Sequence, residues 1–328
     1  MKWLNVDFVS GIIFKKTYED KELKFGNFVK RGGRLIMDAE KRLRQIQKYI
    51  ERMPGLPTTV SKVLEICNNP ATSPNDLNRV ISLDPILTGQ VLKLINSAYY
   101  SLPNKIASLT RAIIMLGVNT VKNLVLGSSI ISSVEAAKPS KKFSIDRFWE
   151  HSLAVGVTAK ALAVRRELPA NEREEFFVAG LLHDLGKIPM NNRFPEEYFA
   201  IWNRATEKEM LLAKVEREFF GFDHGVVGEM IAEKWRLTPS LKHAMHYHHY
   251  PDNSPSEDRL LTTYVALGNI FINIIKIGGS GEAALDKQLL TKLLEEVGIS
   301  QPEIASLRAV ILKEIEKAKI FLDIASKG

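Results

Sequence analysis

The chain has 328 residues, which is enough for one large helical unit with extensions or for two compact units. Its hydrophobic fraction of 45% and charged fraction of 25% are typical of a soluble globular protein, and we expect a cytoplasmic location. No apolar run approaches the roughly 20 residues that a helix needs to cross a membrane. Cys67 is the only cysteine, which excludes an intrachain disulfide and a cysteine-ligated zinc or iron–sulfur site.

The positive charge is concentrated in the first 53 residues. They contain 13 Lys or Arg and 7 Asp or Glu, a net of +6 out of +7 for the whole chain. Because the rest of the chain is close to neutral, we do not expect a basic groove along the protein, and nucleic-acid binding is disfavoured. We interpret residues 1–53 as a short irregular extension with a strand at residues 6–14 and one amphipathic helix at residues 38–52.

Residues 54–137 have the pattern of several short helices. Pro and Gly signals separate apolar stripes of helical spacing, and alternation of period two is almost absent. Ser73 and Asp84 each precede a proline and fit helix N-caps. The segments on either side of Gly117 superficially suit a helix-turn-helix motif for DNA binding. The candidate reading helix, residues 118–127, is largely apolar, so we predict that it belongs to the core.

Helical patterns resume at Ile145, after a polar stretch at residues 138–142 that predicts a linker. We therefore predict an all-α multi-helix bundle, with one helical part at residues 54–137 and a second at residues 145–253. Residues 254–328 contain an apolar helix at residues 260–277 and two amphipathic helices, which we expect to pack on the second part. The glycine-rich stretch at residues 278–281 predicts a flexible hinge.

All seven histidines lie between His151 and His249, within less than a third of the chain. His183 and Asp184 end an apolar helix predicted at residues 176–185, and Gly186 is placed to act as its C-terminal cap. Neutral imidazole and carboxylate groups are suitable ligands for Fe, Mn, Zn, Ni or Co ions. We therefore predict one pocket for a divalent transition metal, formed by His151, His183, Asp184, His224, His248 and His249.

Asp184 and Lys187 are the candidate catalytic residues of this pocket. A hydrolytic site would use the metal to acidify a bound water and to polarise a phosphoryl oxygen. Asp184 could then bridge two metals, and Lys187 could offset negative charge on a phosphate. We interpret His243 and His246 as partly solvated helix residues outside the pocket.

Residues 181–187 (LLHDLGK) resemble the signature of the HD superfamily of metal-dependent phosphohydrolases. The wider frame is similar to its HDOD branch, the HD-related output domains of bacterial signalling proteins. Each supporting segment is weak by itself, and it is their order along the chain that makes the resemblance specific. The segments are residues 56–57, 83–85, 94–98, 108–113, 116–117, 149–152, 216–224 and 248–251.

The resemblance implies an all-α fold of HD-domain type and a regulatory role in two-component or cyclic-dinucleotide signalling. In the HD superfamily, a mononuclear metal site uses a His, the His-Asp pair and a later Asp. His151, His183 and Asp184 match the first three positions, and Asn269 is the best match to the last. Asparagine binds metal more weakly and brings no negative charge, so this metal set is depleted.

The related HD-GYP phosphodiesterases add a His and a His-His pair, which His224 and the pair His248 and His249 resemble. Arg147 stands where some of those enzymes carry a Glu ligand. This asymmetry predicts a regulatory module that acts mainly through contacts with signalling proteins and keeps a degenerate metal pocket. The alternative is an active metal-dependent phosphohydrolase that binds nucleotides or cyclic dinucleotides.

Overall fold

The computed structural model describes residues 32–67, 69, 71–135, 143–282 and 284–325. Every regular element in these ranges is a helix, which confirms the predicted all-α class. The strand expected at residues 6–14 lies outside the described residues. Among the helices of these ranges, none is by itself long and apolar enough to span a membrane; Leu109–Leu116 and Val118–Val134 have the required length and composition only as a pair, which is bent by 113°.

The helices of the first part begin at the caps that the sequence predicts. Ser73 and Asp76 form a reciprocal capping box, and the Asp84 side chain accepts a hydrogen bond from the backbone N–H of Leu87. In chain order the helices up to residue 135 are α1 (Gly32–Arg52), α2 (Thr58–Cys67), α3 (Pro74–Ile81), α4 (Pro85–Ile95), α5 (Leu109–Leu116) and α6 (Val118–Glu135).

The helices from residue 145 onward are mostly short, with one short 3-10 helix at Pro251–Asn253. They are α7 (Ile145–Arg165), α8 (Arg173–Leu182), α9 (Lys187–Arg193), α10 (Pro195–Glu207), α11 (Leu212–Phe220), α12 (His224–Lys234), α13 (Pro239–Tyr247), α14 (Arg259–Ile275), α15 (Lys287–Val297), α16 (Gln301–Ala318) and α17 (Ile320–Ala325).

Helix α1 packs against α9, α11 and α12 of the second part. It begins at Gly32, earlier than the predicted residue 38. Lys234 on α12 donates hydrogen bonds of 2.6 Å to the carbonyl oxygens of Ile50 and Met53, so a cation caps the C-terminal end of α1. Arg42 lies 4.6 Å from the centre of the Phe219 ring. Helix α1 therefore packs on the outside of the helical part formed by residues 145–253.

Helices α7, α8 and α14 form the centre of the molecule and pack against one another. The backbones of α7 and α8 touch where they cross, because a Cβ on Gly180 would lie 2.6 Å from the Cα of Gly156. This close crossing places the rings of His151 and His183 with their centroids 5.5 Å apart. The first two pocket residues are thus brought together by glycine packing.

Helix α6 is a core helix, as its apolar sequence predicts. Val121, Leu124 and Val125 are fully buried, and α6 packs against α2, α8 and α17. It therefore has no free face with which to enter a DNA groove. The last helix, α17, contacts α4 as well as α6, whereas α16 packs on α7.

Candidate metal centre

Four segments of the second part bring the predicted pocket residues together. His151 comes from α7, His183 and Asp184 from the turn after α8, His224 from the first residue of α12, and His248 and His249 from the residues after α13. Their ring and carboxylate atoms form two groups that share Asp184. We call Asp184, His224, His248 and His249 the three-histidine cluster, and His151, His183, Asp184 and Asn269 the amide cluster.

The turn that carries His183 and Asp184 is placed by contact between two backbones. Helix α8 ends at Leu182, and Gly186 has a φ of −61°, so it is not the left-handed cap that the sequence predicted. A Cβ on Gly186 would lie 1.9 Å from the carbonyl oxygen of His224. Glycine is required there because the turn touches α12, and that contact sets Asp184 against His224.

The side-chain nitrogen and oxygen atoms of the three-histidine cluster lie about as far apart as the ligands of one metal ion. The Nε2 atom of His224 lies 3.2 Å from Asp184 Oδ1, 3.2 Å from His248 Nε2 and 3.0 Å from His249 Nε2. Ligands about 2.0–2.1 Å from a tetrahedral metal ion lie roughly 3.3–3.4 Å from each other. All four atoms lie within 4.8 Å of one another. The side chains therefore fit around one transition-metal ion.

Hydrogen bonds on the far side of the rings orient two of these histidines. His224 Nδ1–H donates to Glu216 Oε2 over 2.6 Å, and His248 Nδ1–H donates to the carbonyl oxygen of Met245 over 3.0 Å. These bonds place the Nε2 atoms toward the cluster, as in the carboxylate–histidine–metal arrangement of metalloproteins. Glu216 is itself held by the Tyr198 hydroxyl, which donates to Oε1 over 2.6 Å.

Burial and neighbouring charges set the protonation of the cluster. Burial lowers the pKa values of His248 and His249 well below the ordinary range, so both rings are neutral and can act as ligands. Burial by itself would lower the pKa of His224. The attraction of the Glu216 carboxylate for the protonated ring is stronger than this effect, and it raises the pKa of His224 to about 10. Burial would raise the pKa of Asp184, but His183, Lys187 and His224 hold it well below its usual range.

Three fully buried atoms of the predicted pocket residues make no hydrogen bond with any described residue: Asp184 Oδ1, His183 Nε2 and His151 Nδ1. The 3.2 Å approach of His224 to Asp184 Oδ1 lacks hydrogen-bond geometry. A buried polar atom without a partner costs about 1–3 kcal/mol. An electron-pair acceptor between Asp184 and the three histidines would relieve this cost at Oδ1, so the residues present fit a metal.

The amide cluster is arranged differently. His151 Nε2 lies 3.1 Å from Asn269 Oδ1 and 3.7 Å from Asp184 Oδ2, and His183 Nε2 lies 3.4 Å from Asp184 Oδ2. The structure therefore brings Asn269 to the position that the resemblance implied. Burial lowers the pKa of His151 to about 3 and that of His183 to about 4, so both rings are neutral.

Lys187 is fully buried and directed into the pocket. Its ammonium group donates to Asp184 Oδ2 over 2.6 Å and to the carbonyl oxygen of Ser280 over 2.8 Å. The same carboxylate oxygen faces both histidines of the amide cluster. A fixed positive charge thus stands on the amide-cluster side of Asp184, and in this arrangement it is turned away from solvent.

Residues 278–282, which we call the strap, close the pocket over α7. The glycines of the predicted hinge are closely packed in this structure: a Cβ on Gly278, whose φ is +69°, would lie 2.4 Å from the backbone nitrogen of His151. Arg147 donates to the carbonyl oxygen of Gly278, and Gly279 N–H donates to the carbonyl oxygen of Arg147, both over 2.9 Å. Glycine is needed at residue 278 because the backbone there has a positive φ and packs closely against α7.

Glu282, at the end of the strap, is a pocket residue that the sequence analysis missed. Its side chain is 2% exposed, and Oε1 lies 3.6 Å from His249 Nε2. Burial raises the pKa of Glu282 to about 7. Glu282 lies in an irregular segment outside the histidine motifs, so no local pattern marks it. The orienting role of Glu216 was also missed, although its segment contributed to the resemblance.

His243 and His246 lie outside both clusters. His243 Nδ1 is 2.6 Å from Asp258 Oδ2, and His246 Nδ1 is 2.6 Å from Glu229 Oε2. Both side chains are partly exposed. They pair with partly buried carboxylates, in agreement with their interpretation as partly solvated helix residues.

Residues 53–251 match the HDOD domain family. A curated relative from Treponema pallidum (strain Nichols), described as an uncharacterized protein, is 23% identical over 230 residues. The alignment covers 70% of this chain and 44% of the relative, so this chain spans less than half of the relative's length.

Several solved structures share the fold. An HDOD domain protein of unknown function from Geobacter sulfurreducens has a TM-score of 0.69 at 22% identity, over 87% of this chain and 99% of that one. A Marinobacter aquaeolei VT8 protein, provisionally described as a signal transduction protein, has a TM-score of 0.66 at 18% identity. The match covers 88% of this chain and 66% of that one. A Shewanella amazonensis SB2B protein, provisionally described as a phosphohydrolase, has a TM-score of 0.62 at 23% identity. The match covers 84% of this chain and 97% of that one.

At these identities the solved structures show a common fold and nothing more. The family match carries more weight, because residues 53–251 make up more than half of the chain and contain every predicted pocket residue except Asn269. The chain belongs to the HDOD domain family.

Proposed function

We propose that this chain is a regulatory signal-transduction module that binds one divalent transition metal in the three-histidine cluster and acts through contacts with signalling proteins. The observation that carries the proposal is the inequality of the two clusters around Asp184. On the side of the three-histidine cluster, Asp184 Oδ1 has no hydrogen-bond partner in the described part of the chain, whereas Lys187 already donates to the Asp184 oxygen that faces the amide cluster. The Marinobacter aquaeolei relative, provisionally described as a signal transduction protein, supports a signalling role.

A chain of hydrogen bonds supports the assignment of protons in the amide cluster. The backbone N–H of Glu282 can only donate, and it donates to Ser280 Oγ over 3.0 Å. The Ser280 hydroxyl then donates to Asn273 Oδ1 over 2.7 Å. Asn273 therefore presents its Nδ2 group to Asn269 Oδ1, over 3.0 Å. Because Asn269 Oδ1 is an acceptor, it favours the tautomer in which the Nε2 atom of His151 carries the proton, and that tautomer has no Nε2 lone pair for a metal.

The charges around the amide cluster also disfavour a metal ion there. At the amide cluster, the neutral side chain of Asn269 stands where the resemblance implies a carboxylate, and the Lys187 ammonium contacts the remaining carboxylate oxygen, Asp184 Oδ2. A second divalent cation would be repelled by Lys187 and would have no full negative charge of its own. We therefore expect one metal ion per chain, bound on the other side of Asp184.

When bound, a metal at this centre would polarise a phosphoryl oxygen or acidify a water molecule. The chain's own residues favour binding over turnover. Asp184, His224 and His248 are buried, and the His249 side chain is only 8% exposed, so a phosphate ester has little access to them.

Metal analysis of the purified protein tests the proposal. After expression with added iron or manganese, we expect about one metal ion per chain by mass spectrometry, and its loss in His248→Ala. His183→Ala, in the amide cluster, should keep the metal and serves as the matched control. A metal-free wild-type protein under all supplements would overturn the proposal.

An active phosphohydrolase is the second candidate, and it is favoured by the convergence of Asp184 with the additional histidines and by the provisional description of the Shewanella amazonensis relative. The metal-loaded protein should be assayed with nucleotide phosphates and cyclic dinucleotides. We expect no turnover. Hydrolysis that disappears in Asp184→Ala would replace the regulatory proposal with this one.

A further inference from the structure

We infer that Glu282 is a further ligand of the three-histidine cluster, so that the strap supplies a second carboxylate to the metal. The inference rests on the proposed metal-binding function and names a ligand that no sequence motif marks. The donor set then consists of three imidazole nitrogens, one oxygen of Asp184 and one oxygen of Glu282.

The geometry of the Glu282 side chain motivates the inference. One oxygen, Oε2, accepts a hydrogen bond of 2.9 Å from the backbone N–H of Leu212. The other, Oε1, lies 3.6 Å from His249 Nε2 and makes no hydrogen bond within the described part of the chain. The side chain is almost completely buried, so water does not replace the missing partner at low cost. An unpaired, buried carboxylate oxygen therefore faces the edge of the cluster.

The strap holds this carboxylate in place from two sides. The N–H of Glu282 donates to Ser280 Oγ, and the carbonyl oxygen of Ser280 accepts from Lys187. A Cβ on Gly281 would lie 2.9 Å from the Trp202 ring, so the backbone just before Glu282 packs closely against that ring. The backbone that carries Glu282 is thus fixed by several contacts, and the hydrogen bond from Leu212 N–H orients the carboxylate itself.

The balance of buried charge points in the same direction. The buried charged side chains that contact the cluster are Asp184, Lys187, Glu216 and Glu282. A metal ion displaces the proton that the Glu216 carboxylate favours on His224, and three carboxylates and one ammonium then leave two negative charges in a low-dielectric pocket, an arrangement that is costly unless it is compensated. Nearby Asp223 is already paired with Arg217 at 2.6 Å. One divalent cation neutralises the remainder.

The donor set also indicates the class of metal. Structural zinc sites are usually four-coordinate, whereas carboxylate oxygens suit manganese and imidazole suits iron. Three nitrogens and two carboxylate oxygens therefore favour Fe²⁺ or Mn²⁺ with more than four ligands.

The test compares Mn²⁺ binding by wild-type protein and Glu282→Gln, both stripped with a chelator, using titration calorimetry. Glutamine keeps the size of the side chain and an oxygen for Leu212 N–H but loses the charge. We expect the dissociation constant to rise at least about tenfold. Glu229→Gln is the matched control, because Glu229 pairs with His246 outside the cluster, and it should bind like wild type. Equal affinity in wild type and Glu282→Gln would overturn the inference.

Two further readouts separate the outcomes. The melting temperature of metal-free Glu282→Gln should equal or exceed that of wild type, because a buried charge is removed, and only the increase caused by Mn²⁺ should shrink. If the variant does not fold, the absorption spectrum of Co²⁺-loaded wild type decides: five or six ligands support the inference, and a four-coordinate spectrum overturns it. Absence of metal from wild type would instead refute the proposed function itself.

Discussion

Replacing Gly186 by alanine tests whether backbone contact between the turn after α8 and helix α12 builds the candidate metal centre. The added methyl group would lie 1.9 Å from the carbonyl oxygen of His224 and 2.7 Å from the backbone nitrogen of Gly228. The φ of −61° at Gly186 is one that alanine adopts freely. Any loss of stability therefore comes from the collision and not from backbone strain.

The expected losses of stability and of metal affinity follow from these distances. Real Cβ contacts essentially never fall below 3.0 Å, so the turn and α12 must separate by about 1 Å or more. Overpacking of this kind costs about 1–3 kcal/mol, and we expect about 3 kcal/mol because both obstacles are backbone atoms that cannot rotate away. The same shift moves Asp184 from His224, and metal ligands tolerate only about 0.2 Å. We therefore also expect metal affinity to fall by about tenfold or more.

Urea unfolding of metal-free protein, followed by far-ultraviolet circular dichroism, measures the first effect, and Mn²⁺ titration measures the second. Gly89→Ala is the matched control, since nothing lies within 4 Å of a Cβ at that position inside α4. It should stabilise the protein by about 0.5–1 kcal/mol. If Gly186→Ala unfolds at the same urea concentration as wild type and binds Mn²⁺ normally, the backbone-contact explanation is wrong.

Three other outcomes are expected. Glu216→Gln should weaken Mn²⁺ binding by about 10–100-fold in calorimetry, because the residue that orients His224 loses its charge; unchanged binding would remove Glu216 from the site. Asn269→Asp should raise the metal content from one toward two ions per chain by mass spectrometry, since it adds a carboxylate to the amide cluster, and a ratio that stays at one would contradict this. Lys234→Met should cost about 1–2 kcal/mol in urea unfolding, because the carbonyl groups at the end of α1 lose a charged donor; a loss below 0.5 kcal/mol, roughly the size of an ordinary surface substitution, would show that the cap is unimportant.

The starts of helices and the set of pocket residues were within reach of sequence reasoning. A cap such as Ser73 or Asp84 acts on a backbone N–H only three residues away, so the sequence contains both partners in one short window. The histidines and Asp184 could be grouped because short motifs carry them and the HDOD frame orders those motifs. Asn269 could be placed for the same reason, and the structure finds it beside His151.

The roles of the glycines and carboxylates were beyond sequence reasoning. Gly186 looked like a helix cap and residues 278–281 looked like a hinge, because composition reports conformational freedom but not which backbone lies nearby. Their neighbours, the backbones of His224 and His151, are distant in the chain. Glu282 had no motif, and its meaning comes only from its burial next to His249.

The sequence by itself determined an all-helical HDOD chain with a histidine- and aspartate-lined pocket, since those features depend on local periodicity, local caps and ordered motifs. The tertiary structure alone decided that Asp184 faces two unequal clusters, with Lys187 on one side and three histidines on the other. The physical reason is that proton positions and buried charge depend on contacts across the fold. The backbone N–H of Glu282 in the strap donates to Ser280 Oγ, and the Glu282 carboxylate lies next to His249; neither contact can be read from neighbouring residues in the sequence.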